Sequence, residues 1–90
     1  MARVIWEPSS FDDLEQIIDY IDRYDPEAAL GIAKRLFLLG ESLAEFPARG
    51  RPCDDGFREM TTVRPYILRY VLGDDVRILS IRHSARGPLD

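Results

Sequence analysis

Apolar side chains recur every three or four positions over two stretches in the first half of the chain, residues 11–21 and residues 29–46. This spacing places the apolar side chains on one face of an α-helix. The opposite face of the first stretch is acidic. We therefore predict two amphipathic helices. Leu38 lies outside the second stripe and should point away from the core, while Leu30 and Phe37 widen that stripe.

Residues that cap helices define where the two stretches begin. Ser9 and Ser10 precede the first stripe, and serine is a favoured N-cap residue. Asp25 and Pro26 separate the stripes; we predict that Asp25 caps the second helix and that Pro26 is its first residue. Pro47 should end that helix. Because the connection is so short, the helices should form an antiparallel hairpin.

In the second half of the chain, apolar residues cluster in two short runs and do not recur every three or four positions. Residues 66–72 and 76–83 are rich in Tyr, Ile, Val and Leu, and Gly73-Asp74-Asp75 separates them, which predicts a β-hairpin. Residues 3–6 and 57–63 are further predicted strands, and residues 48–56 read as a loop. The order β-α-α-β-β-β predicts one α+β domain over residues 1–90. It has an N-terminal strand, a helical hairpin and a three-stranded antiparallel sheet, with both helices on one face of the sheet.

Composition narrows the class of protein. Hydrophobic residues make up 46% of the chain and charged residues 31%, as in ordinary globular domains. No apolar run approaches the ~20 residues of a membrane helix. The first residues contain no apolar stretch typical of a signal peptide, so we expect no secretory leader, and Cys53 has no second cysteine to pair with. We expect a cytoplasmic protein with no membrane partner. No phosphate loop, metal-spaced cluster or nucleophile elbow is present, so we expect no metal or cofactor.

Charge is divided unevenly along the chain. The net charge is −4, yet residues 46–90 hold eight arginines against six acidic residues. If Leu68 faces the helices, Arg69 lies on the uncovered face of the sheet. One hypothesis is that Arg69 and other arginines form a free basic surface that binds an anionic partner. The alternative is a set of scattered, solvated arginines. Besides Arg69, the residues that the first hypothesis assigns to the basic surface are Arg58, Arg64, Arg77, Arg82 and Arg86.

His83 is the single histidine and ends the last predicted strand. Its ordinary pKa near neutrality suits a general acid or base. However, no catalytic carboxylate stands near it in sequence, and a structural hydrogen bond at the strand end is the competing interpretation. Cys53 lies in a predicted loop and is better explained as an incidental thiol than as a nucleophile.

Several short motifs, together with the order of elements, resemble the ParE/RelE superfamily of bacterial toxins. The resemblance covers nearly the whole chain and implies a type II toxin–antitoxin system, in which a cognate antitoxin holds the toxin inactive in a hetero-oligomer. The motifs are Asp13-Leu14-x-x-Ile17-x-x-Tyr20-Ile21, Pro26-x-Ala28-Ala29, Leu43-x-x-Phe46-Pro47-x-x-Gly50-Arg51, Arg58, Tyr66-x-x-x-Tyr70 and Val76-x-Ile78-Leu79-x-Ile81-x-His83-x-Ala85-Arg86.

Two activities compete within this resemblance. RelE-like members are ribosome-dependent mRNA endoribonucleases, and ParE-like members inhibit DNA gyrase. The nucleases carry a basic residue where this chain has Ile67 and tend to have a catalytic tyrosine near the C-terminus, which this chain lacks. A net charge of −4 also disfavours RNA as ligand. We therefore favour gyrase inhibition. A third alternative is a non-toxic protein that binds its antitoxin and acts as a co-repressor.

A mechanism of inhibition by binding leads to a hypothesis for the roles of individual residues. We expect the target to bind at Arg58, Arg69, Arg82, His83 and Arg86. If the chain is a nuclease, the catalytic residues would be His83, Arg82 and Arg86. The antitoxin should use apolar side chains left over on the helices, together with an open sheet edge. The antitoxin-binding residues are Leu30, Phe37 and Leu38.

Overall fold

The computed structural model describes residues 2–86, with Arg86 described through its backbone only. The α+β architecture is confirmed within those residues. The elements are β1 (Val4–Trp6), α1 (Pro8–Asp22), α2 (Pro26–Glu41), β2 (Arg51–Pro52), β3 (Phe57–Met60), β4 (Tyr66–Leu72) and β5 (Val76–His83), with short 3₁₀ turns at Ser42–Ala44, Asp54–Gly56 and Ser84–Arg86.

The strands form one sheet in the order β1-β5-β4-β3-β2. The predicted hairpin of β4 and β5 lies inside the sheet, as expected. β1 runs parallel to β5, with Val4 opposite Val76, while the remaining pairs are antiparallel. β2 falls in the stretch predicted to be a loop. Its two residues include Pro52, which lacks a backbone donor, so composition gave no indication of a strand.

The start of α1 differs from the prediction. Pro8 is the first helical residue and Glu7 is the N-cap residue, so the assignment of Ser9 or Ser10 as the cap is wrong. Both hydroxyls serve other contacts. Ser9 Oγ donates to the Leu79 carbonyl at 2.6 Å, and Ser10 Oγ, fully buried, donates to the Glu7 carbonyl at 2.7 Å. The serines therefore anchor the first turn instead of preceding it.

The predicted start of α2 is confirmed, but the prediction that Pro47 ends this helix is wrong. Asp25 Oδ1 accepts a hydrogen bond from the Ala28 N–H at 3.1 Å, with Pro26 as the first helical residue. The helix ends at Glu41, and the tighter 3₁₀ turn that follows changes the direction of the side chains. As a result Leu43 is buried, whereas Phe46, predicted to extend the apolar stripe, is 62% exposed.

The hydrophobic core lies between the helices and one face of the sheet. Leu36, Leu39 and Leu43 pack against side chains from β4 and β5 that are almost fully buried. Those sheet residues are Tyr66, Leu68, Tyr70, Val76, Ile78 and Ile81. In the described part of the chain, no helix covers the opposite face. We call it the uncovered face.

A β-bulge in β5 decides which residues reach the uncovered face. Arg69 lies opposite Ser80, but the next residue of β4, Tyr70, lies opposite Ile78, so Leu79 is an extra residue in β5. Such an insertion shifts the alternation of side chains between the two faces. Ile78 and Ile81 therefore both face the helices, and Arg82 faces away from them.

Candidate functional site

A buried carboxylate lies at the centre of the uncovered face. The Glu59 side chain is 6% exposed and binds three arginines. Glu59 Oε1 accepts a hydrogen bond from Arg51 Nη2 at 3.2 Å, and Oε2 accepts two from Arg69, at 3.3 Å from Nε and 3.0 Å from Nη2. Arg82 Nη2 forms an ion pair with Oε2 at 3.6 Å. We call Arg51, Arg69 and Arg82 the arginine cluster.

Four strands bring the cluster together. Glu59 on β3 lies opposite Arg51 on β2 and opposite Arg69 on β4. Residues directly opposite each other on neighbouring strands point to the same face. The bulge in β5 adds Arg82 to that face, next to Ser80. The two-residue strand β2 and the bulge, which the sequence did not reveal, are thus the features that complete the cluster.

Glu59 remains ionised near neutral pH. Burial acts to raise its pKa, but hydrogen bonds from Arg69, Arg51 and Cys53 and the charge of Arg69 outweigh that effect, so the pKa lies below its usual range. The cluster and its carboxylate therefore keep a surplus of positive charge. Within residues 2–86, the buried Nε of Arg82 has no hydrogen-bond partner.

The sequence had led us to expect free arginines on the uncovered face, and this prediction is wrong. Arg69 and Arg82 are held by Glu59, because the strand register places a carboxylate between them. Arg58 is not on the uncovered face. It lies opposite Tyr70, on the side of the helices, and its Nη1 donates to the carbonyls of Ala48 at 3.0 Å and Gly50 at 2.7 Å. These two hydrogen bonds fix the loop between α2 and β2.

His83 lies near Arg82 at the end of β5, while the side chain of Arg86 is outside what the structure describes. The Nδ1 of His83 accepts a hydrogen bond from the Ala85 N–H at 3.1 Å, and its ring meets the Tyr66 ring edge to face at 5.5 Å. Since Nδ1 is an acceptor, the neutral ring carries its proton on Nε2. The structural hydrogen bond considered for this residue is therefore present.

His83 and Arg82 line an open cleft of about 750 Å³ between α1 and the ends of β4 and β5. The α1 wall includes Asp13, whose Oδ2 accepts a hydrogen bond from the Ile81 N–H at 3.0 Å. Together with the bond from Ser9 to Leu79, this contact attaches α1 to the edge of β5 beyond the end of β1. That part of the edge is thus occupied by side chains.

The outer side of α2 carries the apolar residues predicted to remain uncovered. Leu30 is 73% exposed, Leu38 54% and Phe37 46%, and the prediction that Leu38 points away from the core is confirmed. The ring of Phe37 stacks on Trp6 at 5.7 Å, and Trp6 stacks on Phe11 at 5.9 Å. We call Phe11, Trp6 and Phe37 the aromatic stack. It extends the exposed apolar surface of α2 to α1.

Other kinds of site find no support among residues 2–86. No group of three or more His, Cys, Asp or Glu side chains is placed to hold a metal ion there. None of the helices in that range is both long and apolar enough to cross a membrane.

Sequence reasoning missed Glu59, which the structure places at the centre of the site. Alternation in β3 puts Glu59 and Arg58 on opposite faces, and this signal is present in the sequence. What the sequence lacked was the register between β3 and β4, which sets Glu59 rather than Arg58 opposite Arg69.

Known proteins share both the sequence and the fold. The family model described as "ParE toxin of type II toxin-antitoxin system, parDE" matches residues 4–88. "Toxin RelE2" of Caulobacter vibrioides is 45% identical over 96% of this chain and 99% of its own length. "Putative toxin Y4kP" of Sinorhizobium fredii is 36% identical over 91% of this chain and 88% of its own length.

Among solved structures, the one described as "Chromosomal ParDE TA system from P. aeruginosa" superposes with a TM-score of 0.82 at 26% identity. The match covers 92% of this chain and 96% of that chain. The description of that structure names a toxin–antitoxin system. Sequence, fold and motif order agree, and the chain belongs to the ParE family of toxins of type II toxin–antitoxin systems.

Proposed function

We propose that this toxin arrests growth in the cytoplasm by binding and inhibiting DNA gyrase, and that a cognate antitoxin neutralises it. One observation leads us to prefer gyrase over messenger RNA as the target. The centre of the arginine cluster holds a buried, ionised carboxylate, that of Glu59. This group makes the uncovered face better suited to contacts with a protein than to cleavage of a phosphodiester.

Cleavage of RNA creates negative charge around the phosphorus atom, and catalysis requires preorganised positive groups aimed at that charge. In this protein the guanidinium groups that could supply it already bind Glu59. A second requirement is a group that takes up a proton. In the neutral His83 ring the proton lies on Nε2 and Nδ1 already accepts a hydrogen bond from Ala85, so neither nitrogen is free to act as a base.

An inhibitor that only binds needs a different property, namely a higher affinity for one state of its target. Arg82 and Arg69 suit this role, since their side chains are 26% and 31% exposed and held in place by Glu59. Ordered arginines lose little conformational entropy on binding, and arginine is common among the residues that dominate protein interfaces. We assign the target contact to these two residues with His83 beside them.

The antitoxin-binding surface is proposed on α2, where Leu30 and Leu38 project next to the aromatic stack. An exposed apolar strip beside stacked rings suits the apolar face of a partner helix. Leu38→Gln should weaken antitoxin binding about tenfold, the effect of losing roughly one buried leucine contact. Tyr24→Gln is the matched control, because Tyr24 is 74% exposed in the turn between the two helices. Equal affinities for the two variants would argue against this surface.

A second candidate is the mRNA endoribonuclease activity of RelE-like toxins. The name of the 45% identical relative, Toxin RelE2, favours it, and so does the cleft that brings His83 and Arg82 together with Tyr66. In this case the cleft would hold the RNA, and His83 with Arg82 would be the catalytic residues.

One pair of assays separates the candidates. Purified toxin is added to a gyrase supercoiling reaction and, in parallel, to ribosomes translating a defined mRNA. We expect supercoiling to stop and the mRNA to remain intact. Cleaved mRNA with unaffected gyrase would establish the second candidate. If expression without antitoxin causes no growth arrest, the non-toxic co-repressor is favoured over both.

Arg82→Ala tests the site within the same assays. It should reduce gyrase inhibition at least tenfold, the scale of an arginine contact at the centre of an interface. Arg64→Ala removes an equal charge from an exposed turn outside the cluster and should leave inhibition unchanged. Full inhibition by Arg82→Ala would remove Arg82 from the target-binding surface.

A further inference from the structure

We infer that Glu59 is a specificity-determining residue that prevents the uncovered face of the sheet from binding nucleic acid. This inference rests on the proposed function, in which the same face contacts a protein. Glu59 would exclude nucleic acid, the class of ligand that competes with a protein for this face. Without the charge of Glu59, the arginine cluster would form a phosphate-binding surface.

The geometry of the cluster is that of an occupied oxyanion site. Each of the three arginines has a nitrogen atom within 3.6 Å of one of the two carboxylate oxygens of Glu59. A phosphodiester also presents two charged oxygens, and the planar guanidinium group pairs with both kinds of oxyanion in the same forked manner. Glu59 thus occupies the position that a nucleic-acid phosphate would take.

The cluster also has more donors than Glu59 can satisfy. Arg82 makes the longest of the three ion pairs, and its Nε is buried without a hydrogen-bond partner in the described chain. A guanidinium group that is only partly satisfied gains more from a second oxyanion than a fully paired group does. The ionised Glu59 opposes this gain, because an incoming phosphate would be placed beside a like charge in a poorly solvated position.

Removal of the charge should leave Arg69 in place, because a second contact also holds it. The guanidinium carbon of Arg69 lies 5.1 Å from the centre of the Phe57 ring, a cation–π contact that does not involve Glu59. Glutamine at position 59 keeps the shape and one acceptor oxygen. Glu59→Gln therefore exposes the same three cations without their counter-ion, and it changes the charge of the face more than its structure.

The test measures binding of a short fluorescently labelled single-stranded RNA by fluorescence polarisation, between about 50 and about 200 mM salt. Glu59→Gln should bind about tenfold more tightly than the wild type, and its affinity should fall more steeply with salt, as expected when freed arginines contact phosphates. Glu15→Gln is the matched control. It removes an equal charge from the exposed face of α1 and should bind like the wild type.

Two further variants connect the gain to the cluster. Adding Arg82→Ala to Glu59→Gln should abolish most of the gain. Glu59→Met, which has similar length and no need for hydrogen bonds, replaces Glu59→Gln if that variant does not fold by circular dichroism. Equal RNA affinity for the Glu59 variant and Glu15→Gln would overturn the inference, as would wild-type binding as tight as that of the variant. The wild-type gyrase assay is unaffected by either outcome, so failure of the proposed function is recognised separately.

Discussion

The Tyr70 hydroxyl occupies the space that a side chain at Gly50 would need. It accepts a hydrogen bond from the Gly50 N–H at 2.9 Å, and a Cβ on Gly50 would lie 2.5 Å from the same oxygen. The hydroxyl also donates to the Pro47 carbonyl at 2.7 Å. With the two bonds from Arg58, these contacts fix the loop that joins α2 to β2, so the Pro47-x-x-Gly50 motif has a structural reason.

Tyr70→Phe should lower the free energy of unfolding by about 1–3 kcal/mol, because it leaves the buried Gly50 N–H without its acceptor. Urea denaturation measures the change. Tyr20→Phe is the control, since Tyr20 is 55% exposed on α1 and its loss of a hydroxyl should have little effect. Similar midpoints for the two variants would show that the loop does not depend on the Tyr70 hydroxyl.

Two glycines of α2 should respond to alanine in opposite directions. Gly31 has open space around it, so Gly31→Ala should stabilise the protein by about 0.5–1 kcal/mol through helix propensity. At Gly40 a Cβ would overlap the Trp6 ring and the Ile78 side chain, so Gly40→Ala should destabilise by about 1–3 kcal/mol. Thermal unfolding of both variants checks the pair. Stabilisation by Gly40→Ala would mean that Trp6 is not packed as described.

The contribution of Glu59 to stability should depend on pH. Its pKa is lower in the folded protein than in the unfolded chain, so its stabilising effect is fully present above the unfolded pKa of about 4.3 and is lost as pH falls through the folded pKa. Glu59→Gln should therefore be less stable than the wild type at pH 7. The difference in free energy of unfolding should shrink as pH falls below about 4.3. A difference that stays constant with pH would contradict the lowered pKa.

Asp13 should protect the edge of β5. Asp13→Ala removes the acceptor of the Ile81 N–H and should destabilise the protein by about 0.5–1.5 kcal/mol. Asp13→Asn keeps an acceptor oxygen and should retain most of the stability. Hydrogen exchange at Ile81 provides the local measurement, because exchange should accelerate in the alanine variant and much less in the asparagine variant. Equal acceleration in both would point to charge instead of the hydrogen bond.

The cap of α2 and the hairpin of β4 and β5 were readable from the sequence, whereas the cap of α1 and the register of side chains across the sheet were not. Asp25 caps α2 as predicted because capping depends on residues three positions apart. The side of Leu38 followed from helical periodicity. In contrast, the partner of Arg69 depends on the register of β3, and the face of Arg82 depends on a bulge at Leu79. A shift of one residue exchanges the two faces of a strand, which periodicity within that strand cannot detect.

Parallel pairing of β1 with β5 links the fold to the timing of its synthesis. Within the described chain β1 pairs with no other strand, and Val4 must wait for Val76 before it has a partner. Contacts so distant along the chain form late, because a large loop has to close first. Most of the polypeptide must therefore leave the ribosome before the five-stranded sheet can form. The toxin reaches its folded structure only when translation of the chain is nearly complete.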